Sequence, residues 1–374
     1  MYTNKNEDEL AAIREEIDAI DLKIQSLLNQ RAQCAAHVAE VKLKNSLEDP
    51  DLKNKAYLFY RPEREAQLLR KIADRNDGLL KDGSVIHVFR EIMSACLALE
   101  NPLQVSYLGP EGTFSQAAAW KHFGHAAICK PLSSIQEVFA EVGSGRTHFG
   151  VVPVENSTEG MVSHTLDNLI DSPLKIVGEV EVRIEHHLLV SSQTEEADIS
   201  KICAHEQGLA QCRKWLDSNW SSVERQAVAS NGVAAMLAAE GDGVAAIAGE
   251  AAERQYNLKR ISSNIEDFGD NTTRFLIVGL DDVPQSGDDK TSILISSRNR
   301  PGALFRILDP FQKAGISLTR IDTRPSRTEK WTYVFFIEFE GHFVDENVRK
   351  IFQQLEEHSV SLKVLGSYPR AWGG

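Results

Sequence analysis

Apolar residues spaced seven apart constrain this chain more than any other feature. Leu10, Ile17, Ile24 and Val38 form one series, and Ile13, Ile20, Leu27, Cys34 and Val41 form its companion. Two interleaved series of this kind describe an a/d seam, a stripe on a long helix that must be buried against other helices. The first series is interrupted at position 31 by Arg31. A guanidinium on an apolar seam is costly to bury unpaired, so it either fixes the packing register or meets an anion. Arg14 and Lys42 share a neighbouring stripe, four heptads apart. Along a straight helix those two lie about 42 Å apart, whereas Arg31 and Lys42 lie about 16 Å apart. Arg31 and Lys42 can therefore grip one small dianion. Arg14 can join them only from the antiparallel helix of a second copy, which would make the region an obligate dimer with shared sites.

The rest of residues 1–100 also reads as helix, with prolines only at Pro50 and Pro62 and no strand-like run. Arg61-Pro62-Glu63-Arg64-Glu65 opens a second helix, with Pro62 suited to its first turn. Val85, Phe89, Ile92, Cys96 and Leu99 make the apolar face of a third, with Glu100 on or beside that face. After Asn101-Pro102-Leu103-Gln104 the pattern switches to strand-like runs alternating with helical ones: 105–108, 149–154, 175–190, 244–248 and 273–278. That alternation predicts an α/β domain over 104–280. A polar, turn-rich segment over 281–289 reads as a linker. Residues 290–369 follow as strand (291–296), helix (301–314), strand (317–323), strand (331–340), helix (346–357) and strand (362–367). This βαββαβ order is the α+β ferredoxin-like arrangement.

A net charge of −13 argues against a nucleic-acid partner or an anionic membrane surface. Five scattered cysteines form no CxxC pair, the acidic start of the chain is not a signal peptide, and no run approaches the ~20 apolar residues of a membrane span. A reduced, soluble, cytoplasmic protein is expected. His186-His187 and His122 with His125 lack the carboxylate or cysteine cluster of a metal site, so no metal or cofactor is expected.

Several strand ends carry polar turns. Gly109-Pro110-Glu111-Gly112-Thr113-Phe114-Ser115 follows a strand and precedes a helix, a position suited to a carboxylate, although such residues also cap helices. Glu155, Asn156 and Ser157 follow a second strand, and His205, Gln207 and Gln211 a third. Asp270-Asn271-Thr272-Thr273-Arg274 leads into a fourth. Polar turns gathered at strand ends suggest one shared cleft.

These residues carry three resemblances. Residues 10–100 resemble the all-helical chorismate mutase domain. The resemblance implies that Arg14, Arg31, Lys42 and Arg64 hold two carboxylates, and that Lys42 also reaches the ether oxygen. Glu65 and a backbone group near Arg61 would hold the ring hydroxyl, with Cys96 and Glu100 supplied by the third helix. This chain departs with Arg61 for Asp, Cys96 for Ser and Glu100 for Gln, and with a longer segment over 45–60. Glu100 can donate to an ether oxygen only when protonated.

Residues 105–280 resemble prephenate dehydratase through Gly-Pro-x-Gly-Thr-Phe-Ser, Val-Pro-x-Glu-Asn-Ser and Thr-Arg-Phe. Two periplasmic-binding-protein-like subdomains are implied, with Thr273 central to catalysis. Thr113, Ser115, Glu155, Asn156, Ser157, His205, Gln207 and Gln211 would line the site, and Arg274 would anchor a carboxylate or the neighbouring turn. Ala204 and Glu206 depart from the usual Ser-His-Pro-Gln. Residues 291–367 resemble an ACT regulatory domain. Gly302-Ala303-Leu304 and Asp322-Thr323-Arg324-Pro325 match the motifs that bind phenylalanine. The order of the three implies a bifunctional chorismate mutase–prephenate dehydratase whose substrates are chorismate and prephenate and whose effector is phenylalanine. The residues do not distinguish prephenate from its amino counterpart, arogenate.

Overall fold

The computed structural model describes residues 3–48, 60–298, 300–325 and 332–371. The inserted segment before the second helix lies outside the described residues over 49–59, as does Trp331 at the expected start of a tail strand.

Among the described residues, three helices open the chain: α1 (Thr3–Glu48), α2 (Pro62–Asp74) and α3 (Asp82–Glu100). Pro62 stands at the first position of α2, where its missing N–H costs nothing. At 46 residues, α1 is about 69 Å long. Most of its seam is uncovered: Leu10, Ile17, Ile20, Leu27 and Val41 are 46–62% exposed. The C-terminal part packs on α3, burying Ala39 and half-burying Arg31 and Lys42. Leu69, Ile72, Ala73 and Ile86 form a small core between α2 and α3.

The middle region has two lobes. The first contains β1 (Gln104–Leu108), α4 (Phe114–Phe123), β2 (Ile128–Leu132), α5 (Ile135–Gly143), β3 (Phe149–Asn156), β4 (Gly160–Met161), α6 (Ser163–Asp171) and β5 (Lys175–Arg183). The second contains β6 (His187–Val190), β7 (Lys201–His205), α7 (Glu206–Gln211), α8 (Arg213–Asn219), β8 (Glu224–Val228), α9 (Asn231–Glu240), β9 (Val244–Ala248), α10 (Glu250–Tyr256) and β10 (Lys259–Ser262). The chain then returns through β11 (Thr272–Gly279) to the first sheet, ordered β2-β1-β3-β11-β5. The second sheet is ordered β10-β6-β9-β7-β8.

The run expected over 175–190 is thus two strands in two sheets. Residues 184–186 are one of two crossings between lobes, and 263–271 are the other. The crossings bond to each other, Ile184 N–H to Asn271 C=O at 2.8 Å and Ile265 N–H to His186 C=O at 2.9 Å. Apolar alternation continues through a crossing because the crossing is itself buried, so periodicity alone does not mark it.

The tail contains β12 (Asp289–Arg298), α11 (Ala303–Ala314), β13 (Leu318–Pro325), β14 (Thr332–Glu340), α12 (Glu346–His358) and β15 (Ser361–Pro369), with sheet order β13-β14-β12-β15. It is not set apart from the first lobe. Leu294, Phe336, Leu365 and Tyr368 share one core with Val152, Ile176, Leu276 and Val278. β15 approaches β5 so closely that a Cβ on Gly366 would lie 2.1 Å from the Ile176 carbonyl oxygen. The expected linker over 281–289 is fixed as well. Val283, Ser286 and Asp289 are buried, and Arg70 of α2 donates to the Ser286 carbonyl at 2.6 Å. The segment reads as loop because Asp282, Gln285 and Asp288 face water, while Ser286 and Asp289 are buried against each other at 2.6 Å.

Candidate active sites

The polar turns of the middle region converge on a 530 Å³ cleft between the lobes. Thr113, Ser115, Asn156 and Thr273 line it from the first lobe, and His205, Gln207 and Gln211 from the second. Antiparallel pairing of β3 with β11 sets Thr273 directly opposite Asn156. The Asn156 amide donates to Thr273 Oγ1 at 2.9 Å and to Asn271 Oδ1 at 2.8 Å. Its carbonyl oxygen accepts from the Thr158 and Glu159 N–H groups at 2.9 and 3.1 Å. Asn156 is therefore held from both ends. Because Thr273 Oγ1 accepts that amide hydrogen, its own hydroxyl hydrogen stays available to a ligand, and the accepted bond strengthens it as a donor.

The opposite wall is fixed in the same way. His205 caps α7 by accepting from the Gln207 N–H, and Gln207 bonds across the cleft to Glu159. Gln211 contacts the His186 ring at 2.8 Å. Burial pushes the His186 pKa down, against the Gln211 bond, and its Nδ1 is buried without a hydrogen-bond partner. Glu159 lines the cleft, and no lysine or arginine does so among the described residues. Anionic groups would have to be met by hydroxyls, side-chain amides and the N–H groups where α4 begins.

Three of the expected residues do not line this cleft. Ser157 lies behind it, accepting from the Thr272 N–H at 3.0 Å and bracing Asn271. Glu155 and Arg274 each face away, because neighbours on a strand point to opposite faces. Arg274, expected to anchor a ligand carboxylate or the neighbouring turn, instead joins the lobe to the tail. It bonds Glu179 of β5 at 2.8 Å and Glu338 of β14 at 2.5 Å, with its side chain 9% exposed. Burial acts to lower its pKa, and Tyr368, Glu338 and Glu179 outweigh that and raise it. Sequence reasoning did not select Glu159, His186 and Asn271. Asn271 lies in a turn that the sequence singles out and Glu159 two residues past Ser157, whereas the sequence offers His186 only as a metal ligand.

In the helical region the structure brings Lys42 and Glu100 together at 3.5 Å and sets Arg31 against the Ile92 carbonyl at 3.4 Å. Cys96 is buried on the same helix. Arg14 is exposed on α1, about 42 Å along the helix from Lys42. Arg64 is exposed, and Arg61 pairs with Glu63 at 2.7 Å. Glu65, expected beside the same ligand, turns elsewhere. It pairs with Arg90 at 3.5 Å, and burial raises its pKa against that cation. It lines a 550 Å³ cavity with Tyr60, His122, Glu179 and Lys290, whose walls include none of Arg31, Lys42 or Glu100.

In the tail, Gly302 takes a left-handed conformation (φ 75°) at the start of α11, a backbone shape that favours glycine. Leu304 is 42% exposed. Asp322 accepts from Arg320 at 2.6 Å, and Arg324 pairs with Asp167 of α6 at 2.9 Å. The tail motif therefore lies along the seam with the first lobe. Thr323 is exposed, and Pro325 ends β13.

Comparison with known families matches residues 13–101 to chorismate mutase type II, 105–283 to prephenate dehydratase and 291–357 to the ACT domain. A Pseudomonas aeruginosa protein named bifunctional chorismate mutase/prephenate dehydratase is 54% identical over 98% of this chain and 99% of its own length. The structure of prephenate dehydratase from Arthrobacter aurescens in complex with L-Phe is 33% identical. It superposes with a TM-score of 0.65, over 71% of this chain and 89% of its own. The structure of a quorum quenching acylase, GqqA, is 26% identical with a TM-score of 0.66, over 71% of this chain and 97% of its own.

Proposed function

This chain belongs to the bifunctional chorismate mutase/prephenate dehydratases, and from that membership we propose how its residues divide the work. It is an enzyme of phenylalanine biosynthesis with both activities and an ACT domain. The mutase occupies 1–100, the dehydratase 104–280 and the ACT domain 290–369. Their finer folds are helical, periplasmic-binding-protein-like and ferredoxin-like.

Conversion of chorismate to prephenate is a pericyclic rearrangement that needs no nucleophile. The enzyme must hold the reacting conformer and stabilise charge developing on the ether oxygen. Arg31 and Lys42 of one chain, with Arg14 of a second copy running antiparallel, would clamp the substrate carboxylates, and Lys42 and Glu100 would face the ether oxygen. The uncovered seam of α1 supports this assembly, since a soluble helix seldom leaves so long an apolar stripe in water.

In the dehydratase step the bond to the ring carboxylate breaks and carbon dioxide leaves. Its electron pair moves into the ring, and the ring C–O bond breaks. The departing hydroxide must receive a hydrogen bond or a proton. A threonine is a weak acid, so Thr273 acts as a positioned donor to that oxygen. The observation that carries this reading is the Asn156 amide on Thr273 Oγ1 at 2.9 Å, which leaves the hydroxyl hydrogen free for the leaving group. Phenylalanine would bind at Gly302-Ala303-Leu304 and Asp322-Thr323-Arg324-Pro325, and would inhibit by favouring a low-activity state.

The test supplies chorismate and prephenate separately to the wild type and to Thr273→Ala. Dehydratase turnover should fall by roughly 10²-fold or more, as when a transition-state donor is removed, while mutase turnover stays unchanged. Phenylpyruvate formation at the wild-type rate in Thr273→Ala would refute the assignment.

A further inference from the structure

Glu155 presents a problem. It belongs to the Glu155-Asn156-Ser157 turn, yet it does not line the cleft. Its carboxylate is taken up by Arg320 of the ACT domain, a side chain only 14% exposed. The same guanidinium uses its Nε to hold Asp322 at 2.6 Å, on the same strand. One arginine therefore joins two carboxylates with different tasks. Asp322 opens the motif read as the effector site. Glu155 immediately precedes Asn156, whose amide sets Thr273 at 2.9 Å.

We propose that Arg320 is a positioning residue of the dehydratase, which fixes the Glu155–Asn156 turn under Thr273 and ties that turn to the effector motif through Asp322. The inference rests on the reading of Thr273 and Asp322 given above. Its physical basis is the fork of the guanidinium, whose several N–H groups bind two acceptors at fixed angles, which an ammonium does not reproduce. The path is short and continuous: Asp322, Arg320, Glu155, Asn156, Thr273. A second tie lies beside it, Arg324 of β13 to Asp167 of α6 at 2.9 Å. β13 thus grips the first lobe at the catalytic turn and at the helix that follows it.

The arrangement also says how an amino acid could be sensed. A ligand ammonium that pairs with Asp322 competes with Arg320 for that carboxylate. Arg320 is then left with Glu155 alone, and the turn shifts with it. The two states of the turn differ in one ion pair, which is the differential contact an effector needs.

The test uses the full-length enzyme with Arg320→Ala, Arg320→Lys, Glu155→Gln and the Arg320→Ala/Glu155→Gln double variant, with Thr273→Ala run in parallel. Dehydratase kcat, mutase kcat and the maximal inhibition of the dehydratase at saturating phenylalanine are measured for each. Arg320→Ala should lower dehydratase kcat by about tenfold and leave only a small part of the wild-type maximal inhibition by phenylalanine, because Asp322 is then open to the ligand but no longer joined to Glu155. Mutase kcat should stay within about twofold. Arg320→Lys should recover part of both losses, and the double variant should be no worse than the poorer single variant. Dehydratase kcat and inhibition both within about twofold of wild type in Arg320→Ala would overturn the proposal. So would equal loss of both activities in the soluble Lys and Gln variants, or strictly additive effects in the double variant. These results are separable from failure of the underlying reading, which would show as full activity in Thr273→Ala or as a wild type indifferent to phenylalanine.

Discussion

His122 sits at the junction of α4 with the helical region, where its Nε2 lies 3.2 Å from the Tyr60 hydroxyl. Burial first, and Arg90 second, push its pKa down to about 3. The ring also borders the 550 Å³ cavity, so water there softens the penalty without changing its sign. A histidine whose folded pKa lies below its unfolded value binds fewer protons when folded, so the unfolded chain gains from acid. Its contribution is complete above pH ~6.5 and is lost as pH falls toward about 3. Urea titrations from pH 7 to pH 4 should show stability falling, and His122→Phe should flatten that fall. A fall just as steep in the variant would show that other groups cause it. Thr273 and Arg274 make a complementary point. Both belong to one motif, but adjacent residues on a strand face opposite sides, and only the placement of the second lobe and of the ACT domain shows which side is the cleft and which the domain seam.

At the scale of elements, α1 is the clearest case of a segment whose sequence anticipates more burial than one chain supplies. Its seam residues keep about half of their surface exposed, although a seam of this length is stable only when covered. Ile17→Asp together with Ile20→Asp should therefore halve the mass seen by light scattering or convert a larger assembly to a smaller one. It should also reduce mutase kcat/KM by roughly 10²-fold, because Arg14 would no longer reach a partner's site. Full mutase activity in a demonstrated monomer would exclude shared sites. The helices of 1–100 and the strand–helix order of the tail are readable, because hydrophobic period changes from 3.5 to 2 between them, whereas in the middle region β2 and β8 are short, half-exposed strands that carry no clear apolar run. The break between β5 and β6 is not readable either, since Ile184 and His186 are buried in a crossing that keeps the strand pattern going.

At the scale of the molecule, the three regions are not independent units on flexible ties. Tyr60 packs with Phe123 and Phe149, and Arg70 holds Ser286, so the mutase helices are fastened to both of the other regions. The ACT sheet completes the core of the first lobe, and Arg274 and Lys290 meet at Glu179 where the two join. Deleting residues 284–374 would uncover Ile176, Leu276 and Val278 and remove Glu338 from Arg274. Removing one partner of a buried ion pair costs about 3–5 kcal/mol, and the exposed apolar surface adds to this. The truncated enzyme should lose dehydratase activity through poor solubility or a thermal midpoint lowered by several degrees. An unchanged midpoint with full dehydratase activity would show that the lobe folds without its ACT partner.

The helices of 1–100, the βαββαβ order of the tail, the cations of the α1 seam and the polar turns follow from residue type and spacing, because periodicity and turn chemistry are local properties of a chain, while the choice of Thr273 among the turn residues follows from the family resemblance. The facing of Glu155, Glu65 and Arg274, the fixing of the 281–289 segment and the joining of effector motif to catalytic turn through Arg320 do not follow from either. Each depends on which charged group from a distant part of the chain arrives opposite, and a buried charge takes its role from the partner that neutralises it.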